Sequence, residues 1–280
     1  MLRRLSISRG RVLFGTTIYN QGWFKSEVYD RWRAGDRDYE VIEFDSIQNP
    51  VFPREEYERA RRTMPTWKFD MFYRGKFSKP AGIVYDCFLP THIITRYNIP
   101  SNYHIYSGHD FGGINPAAVF LAQNPATGDF VAFQTYKPGE KVSTFEQVQK
   151  FKVYTNGLNV IKSVGGNHQE DGWRDSYTSK GWGILEPSLF MTHPKNAVET
   201  GIERVYEKIK LNRLFVFSDL HDLIDEIQSY SYKLNDNYEP IDEIDNKSSY
   251  HLLDALRYIL SDFTPETVVK QNKPRVTGGW

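Results

Sequence analysis

Between Tyr103 and Tyr136 the chain reads as a run of short strands, and this run limits the possible architectures more than any other. Tyr103, Ile105 and Ser107 alternate with His104, Tyr106 and Gly108, the period of two expected of a strand, and that strand ends on Asp110. Gly108, Gly112 and Gly113 carry no Cβ, so they clear space beside the carboxylate for a bulky anion or a hydrated metal. Ala117 to Gln123 resumes as a second strand, Pro125 to Asp129 is a turn, and Phe130 to Tyr136 completes a three-strand meander. For an isolated aspartate beside glycine the plainer reading is an Asx turn, so Asp110 takes its meaning from the rest of the chain.

After Tyr136 helices and strands alternate. Thr144 to Tyr154 is helical with Phe145, Val148 and Phe151 on one side, and Asn159 to Val164 is a fourth strand that ends at Gly165-Gly166. A helix is predicted near Trp173 to Ser179, a strand near Gly183 to Leu185, and an amphipathic helix marked by Val198, Ile202, Val205 and Ile209. Leu214 to Phe217 is a further strand, Leu220 to Tyr230 a helix, Asn235 to Lys247 a polar loop, and Ser249 to Ser261 the closing helix. A meander followed by such alternation is the order that ribonuclease H-like domains share. The expected fold is therefore α/β: a ribonuclease H-like mixed sheet flanked by helices over residues 101–265, with 266–280 as a flexible tail.

In that order, acids belong at the end of the first strand, after the fourth strand and on a late helix. Asp110, Glu170 with Asp171 beside it, and Asp254 occupy those places. Carboxylates suit phosphodiester hydrolysis because hard oxygen ligands hold Mg²⁺ or Mn²⁺, and two such ions about 4 Å apart clamp the attacking and leaving oxygens. Each position also has a plain alternative. Glu170 serves equally as a charge at a helix N-terminus, and Asp254 as a solvent-facing residue on a helix whose apolar face is Leu252, Leu256 and Ile259. His251, one turn before Asp254, can orient an acid or a water, or simply pack. The order of the acids is what makes them specific.

The first hundred residues read differently. Strands over Arg11 to Ile18 and Tyr39 to Phe44 are interleaved with helices around Phe24 to Trp32, after Pro53, and over Trp67 to Tyr73. Two strands rarely make a stable sheet, so this is a small incomplete α/β segment. No G-x-x-x-x-G-K-[ST] loop occurs, because Gly75-Lys76-Phe77 lacks both its spacing and its hydroxyl. Leu223-Ile224-Asp225-Glu226 lies in a helical pattern and reads as a solvated face, so no ATPase activity is expected from this chain alone.

Composition adds three limits. Lys+Arg and Asp+Glu are both 35, so any DNA contact needs a local basic patch, for which Lys137, Lys141, Lys150, Lys152 and Lys162, with Arg174 and Lys180, are the candidates. The same residues are equally consistent with an ordinary solvated surface. The single cysteine, Cys87, excludes an internal disulfide and a Cys-rich zinc site. No run of 18 apolar residues occurs, so no membrane partner is expected.

The motifs resemble those of the large subunit of tailed-phage terminases. RVLFGTTIYNQGWF looks like the end of that motor's ATPase core, and YEVIEFDSIQNP with PREEYERARRTMPTWKFDMFYRGKF is similar to the segment joining the core to the nuclease. GHDFGGINPAAV, VGGNHQEDGWR and HLLDALRY resemble its three acid motifs. The resemblance implies that residues 1–100 are the trailing part of an ATPase domain with a linker, and that Asp110, Glu170 and Asp254 are metal-binding acids, with Asp171 and His251 auxiliary. It implies an endonuclease that cuts concatemeric double-stranded viral DNA in the cytoplasm of a bacterial host. Implied partners are DNA, the ATPase half or a full-length terminase, the portal and the small terminase subunit. One departure is Tyr250, which stands where an acid often precedes the histidine. Two alternatives remain: a non-catalytic docking module of the packaging motor, and another ribonuclease H-like nuclease such as a resolvase or transposase.

Overall fold

The computed structural model of the chain describes residues 10–16, 24–64, 66–77, 81–112, 115–188, 197–236 and 239–263. It divides into two compact units, Met1–Asp86 with Ile224–Lys247 and Cys87–Leu223 with Ser248–Trp280. Residues 224–247 group with the first unit.

The larger unit is built on a six-stranded mixed sheet in the order β1-β6-β4-β3-β2-β5. Its strands are β1 (Ile93–Ile94), β2 (His104–Asp110), β3 (Ala117–Gln123), β4 (Phe130–Tyr136), β5 (Asn159–Gly165) and β6 (Leu214–Phe217). β2, β3 and β4 are antiparallel neighbours, as the tight turns require, whereas β5 joins β2, β6 joins β4 and β1 joins β6 in parallel. The helix Thr144–Tyr154 starts at a capping box in which Ser143 and Glu146 satisfy each other's backbone N–H. It buries Val148 and Phe151 against the sheet side that carries Phe120. The helix Ala197–Lys210 buries Ile202, Val205 and Ile209 at helical spacing. The closing helix, His251–Leu260, buries Leu252, Leu256 and Ile259, as its pattern requires.

The closing helix lies across β2 at unusually short range. A Cβ built on Gly108 would stand 1.9 Å from the backbone oxygen of Ala255, so only glycine allows this approach. That contact sets where Asp254, the neighbour of Ala255, meets the end of β2.

In the smaller unit, Arg54–Thr63 and Thr66–Tyr73 form helices as predicted, the first with Glu55 and Glu56 in its opening turn and Arg61 and Arg62 in its last. Tyr57, Ala60 and Phe69 make a small buried cluster with Ile47, Phe52, Met64 and Tyr73 around it. A π-helical turn, Lys25–Tyr29, runs into a short α-helix, Asp30–Arg33.

Several strand expectations are corrected. Residues 11–16 form no strand, and residues 17 and 18 of the same stretch lie outside the described residues. Tyr39 to Phe44 also stays irregular, with Ile42 76% and Phe44 65% exposed, because alternation gives a strand only where a neighbour can take up its backbone bonds. The polar loop expected over Asn235 to Lys247 instead contains β8 (Pro240–Ile244), antiparallel to β7 (Tyr232–Leu234). The smaller unit is therefore both α and β, with its strands from a different part of the chain. Gly183 to Leu185 contributes only a single bridge, Leu185 to Val164, and the short β1 is an addition to the expected sheet. The expected tail over 266–280 lies outside the described residues.

Candidate active site

Asp110 is the last residue of β2, and the preceding residue, His109, is in register with Gly165 at the end of β5. Two strands, one inside the sheet and one at its edge, thus finish side by side. The chain beyond β5 turns through Gly166, whose φ of +68° is left-handed, into a single 3-10 turn, His168–Glu170, and then the helix Asp171–Ser179. Asn167 caps this turn reciprocally: its side chain accepts from the Gln169 N–H at 2.8 Å, and its own N–H donates to Glu170 Oε2 at 2.9 Å. Gly166 also leaves the room that Glu170 uses, since a Cβ there would be 2.7 Å from the Phe111 ring and 3.0 Å from Glu170 Oε2.

The closing helix supplies the other side. His251 Nδ1 lies 2.6 Å from Asp110 Oδ2, and because an ionised carboxylate only accepts, the imidazole N–H donates in this contact. Asp254, one turn later, is paired with Arg257 through Nη2 to Oδ1 at 2.8 Å, and the Arg257 side chain is almost wholly buried. Each of the three acids therefore has one oxygen held by a fixed protein donor.

Tyr258 lies near the acids. It follows Asp254 by four residues, so both share a helix face. Burial pushes its hydroxyl up, and the negative charges of Asp110, Asp254 and, more weakly, Glu170 push it further, against a lowering by Arg257. All three carboxylates thus lie in electrostatic reach of one hydroxyl. Sequence reasoning passed over Tyr258, although its place on the Asp254 face was a readable signal.

The site is not a closed metal cage. Among the described residues, no three His, Cys, Asp or Glu side chains stand close enough together to hold a metal ion. The donor set is nevertheless of the kind that Mg²⁺ or Mn²⁺ takes, because Asp110, Glu170 and Asp254 offer hard carboxylate oxygens and each has an oxygen held by a protein donor.

The remaining expected residues divide. Asp171 sits beside Glu170 but is exposed and paired with Arg174. Arg174, expected on a DNA-binding surface, is buried and donates to the Gly165 carbonyl at 2.9 Å, so it is not a surface phosphate contact. Lys162 is half-buried and lies 2.5 Å from Asp262. Lys141, Lys150, Lys152 and Lys180 are exposed and Lys137 is half-buried. Lys152 Nζ reaches the Lys180 carbonyl at 3.5 Å. No helix among the described residues is long and apolar enough to cross a membrane.

No protein-family model matches this sequence, and no curated relative does. Solved structures do match. The large terminase of a thermophilic bacteriophage aligns at 17% identity and a TM-score of 0.53, over 86% of this chain and 58% of that one. The complex of the same terminase with ADP gives 17% identity, a TM-score of 0.54, and 86% and 59% coverage. The nuclease domain of the bacteriophage P22 large terminase aligns at 19% identity and a TM-score of 0.50, over 65% of this chain and 92% of that domain. The chain thus spans about 58% of the length of the thermophilic phage's terminase. Likeness at this identity establishes the fold: a mixed α/β domain of the ribonuclease H-like type seen in terminase nucleases.

Proposed function

We propose that the chain is a metal-dependent DNA endonuclease of a viral genome-packaging terminase, cutting concatemeric double-stranded DNA. The observation that carries this reading is the placement of Asp110 at the end of β2, Glu170 on the turn after β5 and Asp254 on the closing helix, in a fold like that of a terminase nuclease. Residues 1–100 would then be the trailing part of an ATPase domain and its linker, 101–265 the nuclease domain and 266–280 a tail. No ATPase activity is expected from these residues alone, which contain no phosphate loop. The other partners are DNA, the portal and the small terminase subunit, in the cytoplasm of a bacterial host.

Asp110, Glu170 and Asp254 would hold Mg²⁺ or Mn²⁺, which when bound stabilises charge on the attacking and leaving oxygens of an in-line displacement at phosphorus. The chain's own work is to aim these oxygens. His251 fixes the Asp110 carboxylate, Arg257 that of Asp254, and the Asn167 N–H that of Glu170. Little base selectivity is expected, because phosphate contacts carry no sequence information and no base-reading helix or zinc module is apparent. Exposed Lys141, Lys150, Lys152 and Lys180, with Lys137, are the residues left to follow a DNA backbone.

Incubating supercoiled plasmid and Mn²⁺ with the parent chain, Asp110→Ala and Asp254→Ala tests the proposal. Cleavage by the parent is expected to fall to background in both variants. Cleavage persisting in both would remove the site assignment, and a folded parent that never cleaves would favour the non-catalytic docking module. A marked preference for branched junctions would favour a resolvase.

A further inference from the structure

The loop that presents Glu170 is tied across its base by a buried cation. Arg174 donates through Nη1 to the carbonyl of Gly165, the last residue of β5, at 2.9 Å. Through Nη2 it reaches Asp171 Oδ1 at 2.5 Å, on the residue that follows Glu170. One guanidinium thus spans residues 166–170 from end to end. Stability is a poor reason for such an arrangement. The Arg174 side chain is 7% exposed but that of Asp171 is 78% exposed, so the pair is screened on one side while the cation is desolvated on the other. What the arrangement does provide is a fixed distance between the strand end and the first turn of the helix, with a planar fork that only arginine offers.

We infer that Arg174 and Asp171 form a clamp that positions Glu170, and that Glu170, not Asp171, is the second acid of the metal site. The inference rests on the nuclease reading above and refines it. Glu170 turns its carboxylate back over the loop to the Asn167 N–H, inside the space left by Gly166. Asp171 pairs instead with Arg174. Partners that orient a ligand without touching the metal typically account for a 10- to 100-fold difference in affinity, roughly the effect expected here.

The test is Mn²⁺ binding to the full chain by isothermal titration calorimetry, with the thermal unfolding midpoint of every variant measured alongside. Glu170→Gln should abolish saturable binding. Arg174→Lys keeps the charge but not the fork, and Asp171→Ala removes one arm of the clamp. Each should weaken Mn²⁺ binding by about tenfold, and the double variant should be no weaker than the weaker single one, because both break one clamp. Tyr177→Phe controls for damage to the same helix. It removes a buried hydrogen bond to Gln147 Oε1 of 2.7 Å, so it should lower the midpoint and leave Mn²⁺ affinity unchanged. The clamp is overturned if Arg174→Lys and Asp171→Ala bind Mn²⁺ like the parent. It is overturned equally if Asp171→Ala loses as much as Glu170→Gln while Arg174→Lys loses nothing, which would make Asp171 the ligand. A folded parent without saturable Mn²⁺ binding would overturn the nuclease reading itself.

Discussion

The closing helix and the turn after β5 bring acids to the same end of the sheet by different physical means. The helix buries a full apolar face, including Leu252, Leu256 and Ile259, and its backbone sits against Gly108 with no room for a Cβ. Burial of that kind is worth roughly 1.5–3 kcal/mol per large side chain, so Asp254 is placed by the packing of the whole unit. The turn has no comparable apolar anchor at Glu170. It depends on a left-handed glycine and on two polar contacts, an asparagine cap and one guanidinium, that each contribute about 1 kcal/mol net. Asp254 is therefore held by packing, and Glu170 by a few local contacts.

The largest effect should come from breaking the helix side. Gly108→Ala sets a methyl 1.9 Å from the Ala255 oxygen, which neither backbone can yield without separating helix and strand. A loss of more than about 3 kcal/mol is expected in urea unfolding, the range of severe core overpacking. Parent-like stability would mean that the close approach does not set the helix.

A second prediction concerns the strand that serves both sides. His109 is buried, its Nε2 accepts the indole N–H of Trp182 at 3.2 Å, and its carbonyl accepts the Gly166 N–H at 3.2 Å, so it also supports the turn. Burial pushes its imidazole down from 6.5 to about 3. The folded state thus stays neutral while the unfolded chain takes up a proton as pH falls below 6.5. The contribution is fully present above pH 6.5 and is lost progressively down to about pH 3, with roughly 2 kcal/mol gone at pH 5. His109→Gln, which keeps an acceptor for Trp182, should be less sensitive than the parent between pH 7 and pH 5 by about that amount. Equal pH dependence in urea unfolding would show that His109 is not held neutral.

The smallest stability change should come from the turn. Gly166→Ala forces a side chain to φ +68°, costing about 1–2 kcal/mol. Its new methyl also meets the Phe111 ring and Glu170 Oε2, so Mn²⁺ affinity should fall by more than the loss of stability accounts for. A variant that loses stability but binds Mn²⁺ normally would show that the turn is as firmly placed as the helix.

Much of this was legible in the sequence where neighbours are near in the chain. β3 and β4 keep the predicted bounds because the turn at Pro125 to Asp129 hands each strand its partner. Tyr39 to Phe44 alternates just as well, yet no partner is supplied and it forms no strand. β8, with Asp242 and Glu243 in it, looked like a loop, since a solvated hairpin needs no apolar alternation. The places of Asp110 at a strand end, Glu170 after a strand and Asp254 on a late helix could be read because topology prescribes that order. Arg174 and Arg257 could not, because a buried arginine has the same letter as an exposed one, and only the folded neighbours show which carbonyl or carboxylate it serves.

A crystal of the parent chain soaked in Mn²⁺, with anomalous scattering used to locate the ion, tests the central claim most directly. The account predicts metal bound among Asp110, Glu170 and Asp254, with His251 still on Asp110 and Arg174 still spanning Gly165 and Asp171. Metal bound elsewhere, or those three carboxylates left apart with no ion between them, would contradict it.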